Sequence, residues 1–136
     1  MPPDHTTNPT LRLASDHHAA IRLLAEYGGF HDALIERLIQ DYARRRVELH
    51  VDDVFSGLVT HDVSSGWIRF DGIEHLYCQI PFVGGEVRIE DMEVSPAAVG
   101  FTVSFGLTTT EWTDSGEFKT IRLDLTARSL TIGHPT

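Results

Sequence analysis

The sequence predicts an α+β fold that is mainly antiparallel β: an N-terminal helix followed by a β meander that forms a sheet or sandwich. Three observations predict it. One helix-spaced apolar run lies near the start and stops at Gly28-Gly29, apolar residues alternate in most segments from Val47 onward, and Gly- and Ser-bearing turn signals separate those segments. At 136 residues, with 41% hydrophobic and 23% charged side chains, the chain fits one domain, 1–136, with a core of ordinary size.

Residues Met1 to Thr10 carry three prolines among small polar residues and read as a flexible lead-in. Ser15 is the expected N-cap with Asp16 in the first turn. His18, Ile21, Leu24 and Tyr27 then recur at helical spacing, which predicts a helix from about Asp16 to Tyr27. The segment from Leu34 to Asp41 is two-sided. Leu34, Ile35, Leu38, Ile39 and Tyr42 fit one helical face, whereas a hairpin turn around Ala43 to Arg46 leading into the alternating VELHV requires a strand with a bulge.

Beyond it, Val47, Leu49 and Val51 share one strand face, and Trp67, Ile68 and Phe70 form another strand after a Ser-Ser-Gly signal. Ile80 and Phe82 flank Pro81, which argues for an edge or irregular strand, and Val87 with Ile89 resumes alternation. Phe101, Val103, Phe105 and Leu107 predict a long strand that turns at Thr113 to Glu117 and returns through Ile121, Leu123 and Leu125 as the core hairpin. The apolar parity then shifts to Leu130 and Ile132, which implies a bulge or tight turn at Ala127-Arg128-Ser129.

A net charge of −9 repels a phosphate backbone and an anionic membrane, so neither nucleic acid nor membrane is an expected partner; a basic protein is. Arg44-Arg45-Arg46 stands beside Asp41, Glu48, Asp52 and Asp53 and reads as a solvated turn. Cys78 is the single cysteine. With no apolar leader and no span-length apolar stretch, it points to a reducing, cytoplasmic setting, and among apolar neighbours it reads as an inert small hydrophobe. Trp67 and Trp112 read as core-edge residues.

Eight histidines invite a metal hypothesis, with His31, His50 and Asp52 as candidate ligands. His50 and Asp52 share the strand face opposite Leu49 and Val51 and could meet His31 or Asp32 from a neighbouring element. The plainer account is a solvated strand face, and no metal or cofactor is expected. His17-His18 reads as a surface pair. His31-Asp32 is the one catalytic thought, an imidazole oriented by a carboxylate. As strand neighbours they would face apart, with Phe30 in the core, His31 at its rim and Asp32 accepting backbone hydrogen bonds. No HExxH, P-loop or GxSxG pattern occurs.

The stretch FHDA followed by LIERLIQDYARRRVELHV resembles a group of small bacterial proteins in which an F-H-D motif opens a strand hairpin, toxin-immunity proteins among them. Phe30, His31, Asp32, Tyr42, Val47 and Leu49 carry the resemblance, which runs from about Phe30 to Phe70 and more faintly to the terminal strands. It implies strand at Leu34 to Asp41, a sheet or sandwich without catalytic apparatus, and binding as the mode of action. The strand is therefore the reading adopted. The leading functional expectation is a non-enzymatic protein-binding domain, immunity-like or regulatory. The alternative is a small-molecule-binding domain or small enzyme on a nuclear-transport-factor-like α+β cone, with His31, Asp32 or His50 as its acid or base, and requires a helix at Leu34 to Tyr42. A third expectation is homodimer formation through an exposed sheet edge such as that following Pro81.

Overall fold

Alternation of apolar and polar residues produces strands that bury one face each, and here two sheets bury those faces against one another. The structure, a computed structural model, describes residues 10–59, 62–80, 86–110 and 118–135, with the backbone alone at 110, 118 and 119. In chain order the elements are β1 (Thr10–Ala14), α1 (His17–Glu26), a 3-10 turn (Gly28–Phe30), β2 (Ile35–Asp41), β3 (Arg46–Val51), β4 (Gly66–Asp71), β5 (His75–Cys78), β6 (Val87–Pro96), β7 (Phe101–Thr110), β8 (Phe118–Ala127) and β9 (Ser129–His134). One antiparallel sheet has the order β1-β9-β4-β3-β2 and the other β5-β8-β7-β6. The α+β expectation of a helix followed by a strand meander holds, in its sandwich form.

The core lies between the sheets. Val47, Leu49, Ile68, Phe70, Leu130 and Ile132 face inward from the five-stranded sheet; Phe101, Val103, Phe105, Leu107, Leu123 and Leu125 do so from the four-stranded one. Phe70 meets Phe105 edge to face across the gap, with ring centroids 6.2 Å apart. The parity shift at Ala127-Arg128-Ser129 is the point where the chain leaves β8 in one sheet and enters β9 in the other. That crossing carries the inward face over with it.

From Ile35 to Asp41 the backbone is strand, with Leu34 bridged to Arg88 just before it, so this segment is not the second helix that the cone-shaped alternative needs. Ile35 pairs with Val51 and Arg37 with His50, a register shift that is the bulge the hairpin requires. The turn closes through the Arg45 N–H donating to the Tyr42 carbonyl, with Arg45 at φ +51°.

Three local expectations are corrected. The N-cap is Asp16, not Ser15: its carboxylate accepts from the Ala19 N–H at 2.8 Å, three residues into the helix. The buried helical face is Ala20, Leu23, Leu24 and Tyr27; His18 and Ile21 are exposed, because α1 packs on both β1 and β6 and so presents a face rotated from the simple spacing. Thr10 is not lead-in but the first residue of β1, which pairs with β9 from the far end of the chain. Ile80 lies outside any strand, and the expectations at Pro81, Phe82, Trp112 and Thr113 to Glu117 fall outside the described residues.

Candidate functional site

The solvent faces of the two sheets carry the polar side chains, and strand register decides which of them become neighbours. Across the five-stranded sheet, Arg37, His50, Trp67 and Gly133 stand in one outward row, linked by the pairs Arg37–His50, His50–Trp67 and Trp67–Gly133. A β-carbon at Gly133 would run into the Trp67 ring, so the indole lies across the neighbouring strand where only glycine leaves it room. The Arg69 guanidinium sits 5.3 Å from the indole centroid.

At the end of this row opens a cleft of about 520 Å³, with Glu36, Arg37, His50, Trp67, His134 and Pro135 on its walls. The β2 bulge brings two successive side chains, Glu36 and Arg37, to the same rim. His134 is held firmly. Its Nδ1 lies 2.8 Å from the Pro135 carbonyl, which can only accept, so in the neutral ring Nδ1 carries the proton and Nε2 accepts from the Tyr27 hydroxyl at 2.9 Å. Tyr27 is held above its ordinary pKa of 10.0, chiefly by burial. His50 Nε2 is 3.3 Å from Glu48 Oε1 but out of line for a hydrogen bond.

The other end of the same sheet is a network of paired charges. Arg44 binds Asp41 at 2.9 Å, Arg46 and Arg69 bind Asp71 at 2.7 and 3.1 Å, and Arg45 and Arg128 bind Glu74 at 3.0 and 3.2 Å. The backbone N–H and the guanidinium of Arg44 hold the Asp41 carboxyl below its usual range, and Arg45, aided by Arg128, does the same to Glu74. The arginine run is thus a turn, as expected, but each of its cations is neutralised within the chain.

His31 and Asp32 do meet, contrary to the expectation that they face apart. They lie in a turn, not a strand; Asp32 takes φ +71°, and His31 Nδ1 comes 3.1 Å from Asp32 Oδ2. Phe30 is fully buried and His31 exposed, as expected. Asp32 uses its backbone N–H, donating to the Ile89 carbonyl at 2.8 Å, rather than accepting. Glu90 joins them, all three donor atoms within 4.8 Å, and this is the one such His, Cys, Asp or Glu grouping among the described residues. His50 and Asp52 are not in it. His50 lines the cleft, and Asp52 accepts the Leu34 N–H at 2.8 Å, fastening the start of β2 to the end of β3.

Along β6, Asp91 and Glu93 face outward beside Gly106 and Ser104 of β7, and Glu90 sits at the bulge between Ile89 and Asp91. None of these three acids forms an ion pair among the described residues. Periodicity finds the strand but not this asymmetry, because pairing depends on what the neighbouring strands carry. His17 and His18 form a ring pair 5.1 Å apart, and Cys78 packs on the core edge. No helix among the described residues is long and apolar enough to cross a membrane. Comparison with known protein families, curated proteins and solved structures gives no match.

Proposed function

We propose that the chain is a non-enzymatic protein-binding domain of the bacterial cytoplasm, immunity-like or regulatory, whose partner is a basic protein. The observation that carries this reading is the β6 edge. Glu90, Asp91 and Glu93 follow one another along a solvent-facing strand without a counter-ion among the described residues, next to the carboxylate of Asp32. Like charges so close repel one another, and a cationic partner relieves that repulsion as it docks. The rest of the −9 charge adds long-range steering, screened over about 8 Å at physiological salt.

Catalysis has less behind it. His31 and Asp32 form a dyad on an exposed turn, with side chains 54% and 52% accessible, where water competes for every hydrogen bond they offer.

The test is affinity capture with the tagged chain, followed by titration of the purified partner against the wild type and the triple variant Glu90→Lys, Asp91→Lys, Glu93→Lys. The expected partner is basic, its affinity falls steeply with added salt, and the triple variant loses it while keeping the wild-type circular dichroism. Absence of any partner at low salt, or binding indifferent to both salt and the three reversals, overturns the proposal.

A further inference from the structure

We infer that the cleft at the end of the five-stranded sheet is a binding site for a small planar aromatic compound carrying a single carboxylate. The site lies apart from the acidic β6 edge and does not depend on the partner proposed there.

Arg37 supplies the first part of the argument. Arg44, Arg45, Arg46, Arg69 and Arg128 of the same sheet and its flanking turns all reach a carboxylate of the chain. Arg37 reaches none among the described residues, although it stands in the same outward layer. A guanidinium presents its N–H donors as a planar fork that matches a carboxylate bidentately. The bulge in β2 places Arg37 on the wall of the cleft, directly after Glu36.

Trp67 supplies the second. Its ring is seated over Gly133, with the Arg69 guanidinium 5.3 Å from its centroid, and borders the cleft, so an aromatic edge is held in place before any ligand arrives. A second aromatic ring meets such an edge in an edge-to-face contact. The volume of about 520 Å³ falls within the range of pre-formed small-molecule sites. The adjoining wall at His134 is also fixed, because His134 is tied to Tyr27 and to the Pro135 carbonyl.

Glu36 restricts the charge of the ligand. Its carboxylate lies on the rim beside Arg37 without an ion-pair partner among the described residues. It repels a dianion such as a phosphate monoester more strongly than a monoanion. The one unpaired guanidinium offers a single bidentate position, which one carboxylate fills, and the Glu36 carboxylate beside it disfavours a second negative charge on the ligand.

The experiment uses the full chain and phenylacetate as the probe, read by the chemical shift of the Trp67 indole N–H, which is assigned by its loss in Trp67→Leu. Phenylacetate is expected to shift that resonance saturably, with a dissociation constant of about 1 mM or tighter. Arg37→Gln is expected to weaken binding about tenfold or more, since a hydrogen-bonded charge pair is removed. Arg37 is exposed, so its loss does not threaten the fold. The neutral analogue 2-phenylethanol and the dianion phenyl phosphate are expected to bind at least about tenfold more weakly than phenylacetate. No saturable shift, equal binding of the neutral analogue, or full affinity in Arg37→Gln overturns the inference; tighter binding of phenyl phosphate overturns the assignment to a monoanionic carboxylate.

Discussion

The five-stranded and four-stranded sheets share one core but treat charge differently at their surfaces. At the hairpin end of the first, Asp41, Asp71 and Glu74 are each held by at least one arginine. On β6 of the second, Asp91 and Glu93 neighbour glycine and serine across the sheet, Glu90 sits at the bulge beside His31 and Asp32, and none of the three forms an ion pair among the described residues. The difference separates two uses of the same residue type. Paired acids fix a turn and a sheet corner within the chain, whereas unpaired acids in a row keep their field for something outside it.

The two surfaces belong to one cooperative unit if the shared core holds the sheets together, and Phe105 is where that core is tested. Its ring is fully buried and meets Phe70 of the opposite sheet. Phe105→Ala is expected to cost about 3–5 kcal/mol in urea unfolding, through lost burial and the cavity left behind. Far-UV dichroism and the Trp67 indole signal are expected to change at one shared midpoint. Separate midpoints would make the sheets independent units, and the contrast between their faces would then be one between two small domains.

Much of this architecture is legible in sequence because each inner face alternates cleanly, as in Val47-Leu49-Val51 and Phe101-Val103-Phe105-Leu107. What stays hidden depends on pairing over long distance. In β1 the alternation is inverted: Leu11 and Leu13 point to solvent at 58% and 66% exposure, while Arg12 binds Glu26 of α1 at 2.7 Å. Only its partnership with β9 makes it a strand. The cleft is hidden for the same reason, since Arg37, His50, Trp67 and His134 come from the ends of four strands and no local spacing connects them. His50 was visible as a candidate, but its neighbours were not. The meeting of His31 with Asp32 turns on a positive φ at an aspartate, which a strand-based reading does not anticipate.

A middle-sized effect tests how firmly the cleft wall is held. Tyr27→Phe removes the hydroxyl that bonds His134 and leaves a buried ring nitrogen without that partner, at an expected cost of about 1–3 kcal/mol. Burial holds the Tyr27 pKa above 10.0, so its neutral form stabilises the fold fully below that pH, and the contribution is lost as pH rises through the folded-state value. The wild type is therefore expected to lose stability above about pH 10 more steeply than the variant. Parallel alkaline profiles would show that the Tyr27 proton has no part in anchoring the wall.

The smallest effects bear most directly on the contrast itself. Glu74→Gln removes the carboxylate that Arg45 and Arg128 share, and at neutral pH it is expected to lower the thermal midpoint slightly, less so in high salt. Because the folded Glu74 has a pKa below its ordinary 4.5, its contribution is present above that value and fades as pH falls through the lowered one. The deficit of Glu74→Gln should fade with it in acid. Glu93→Gln is expected to do the reverse at neutral pH, leaving the midpoint unchanged or raising it slightly, since it relieves repulsion from Glu90 and Asp91 and breaks no pair. Thermal melts of both variants across pH and salt decide the matter. Equal deficits would mean that Glu93 is paired after all, and the acidic edge would lose its claim on an external cation.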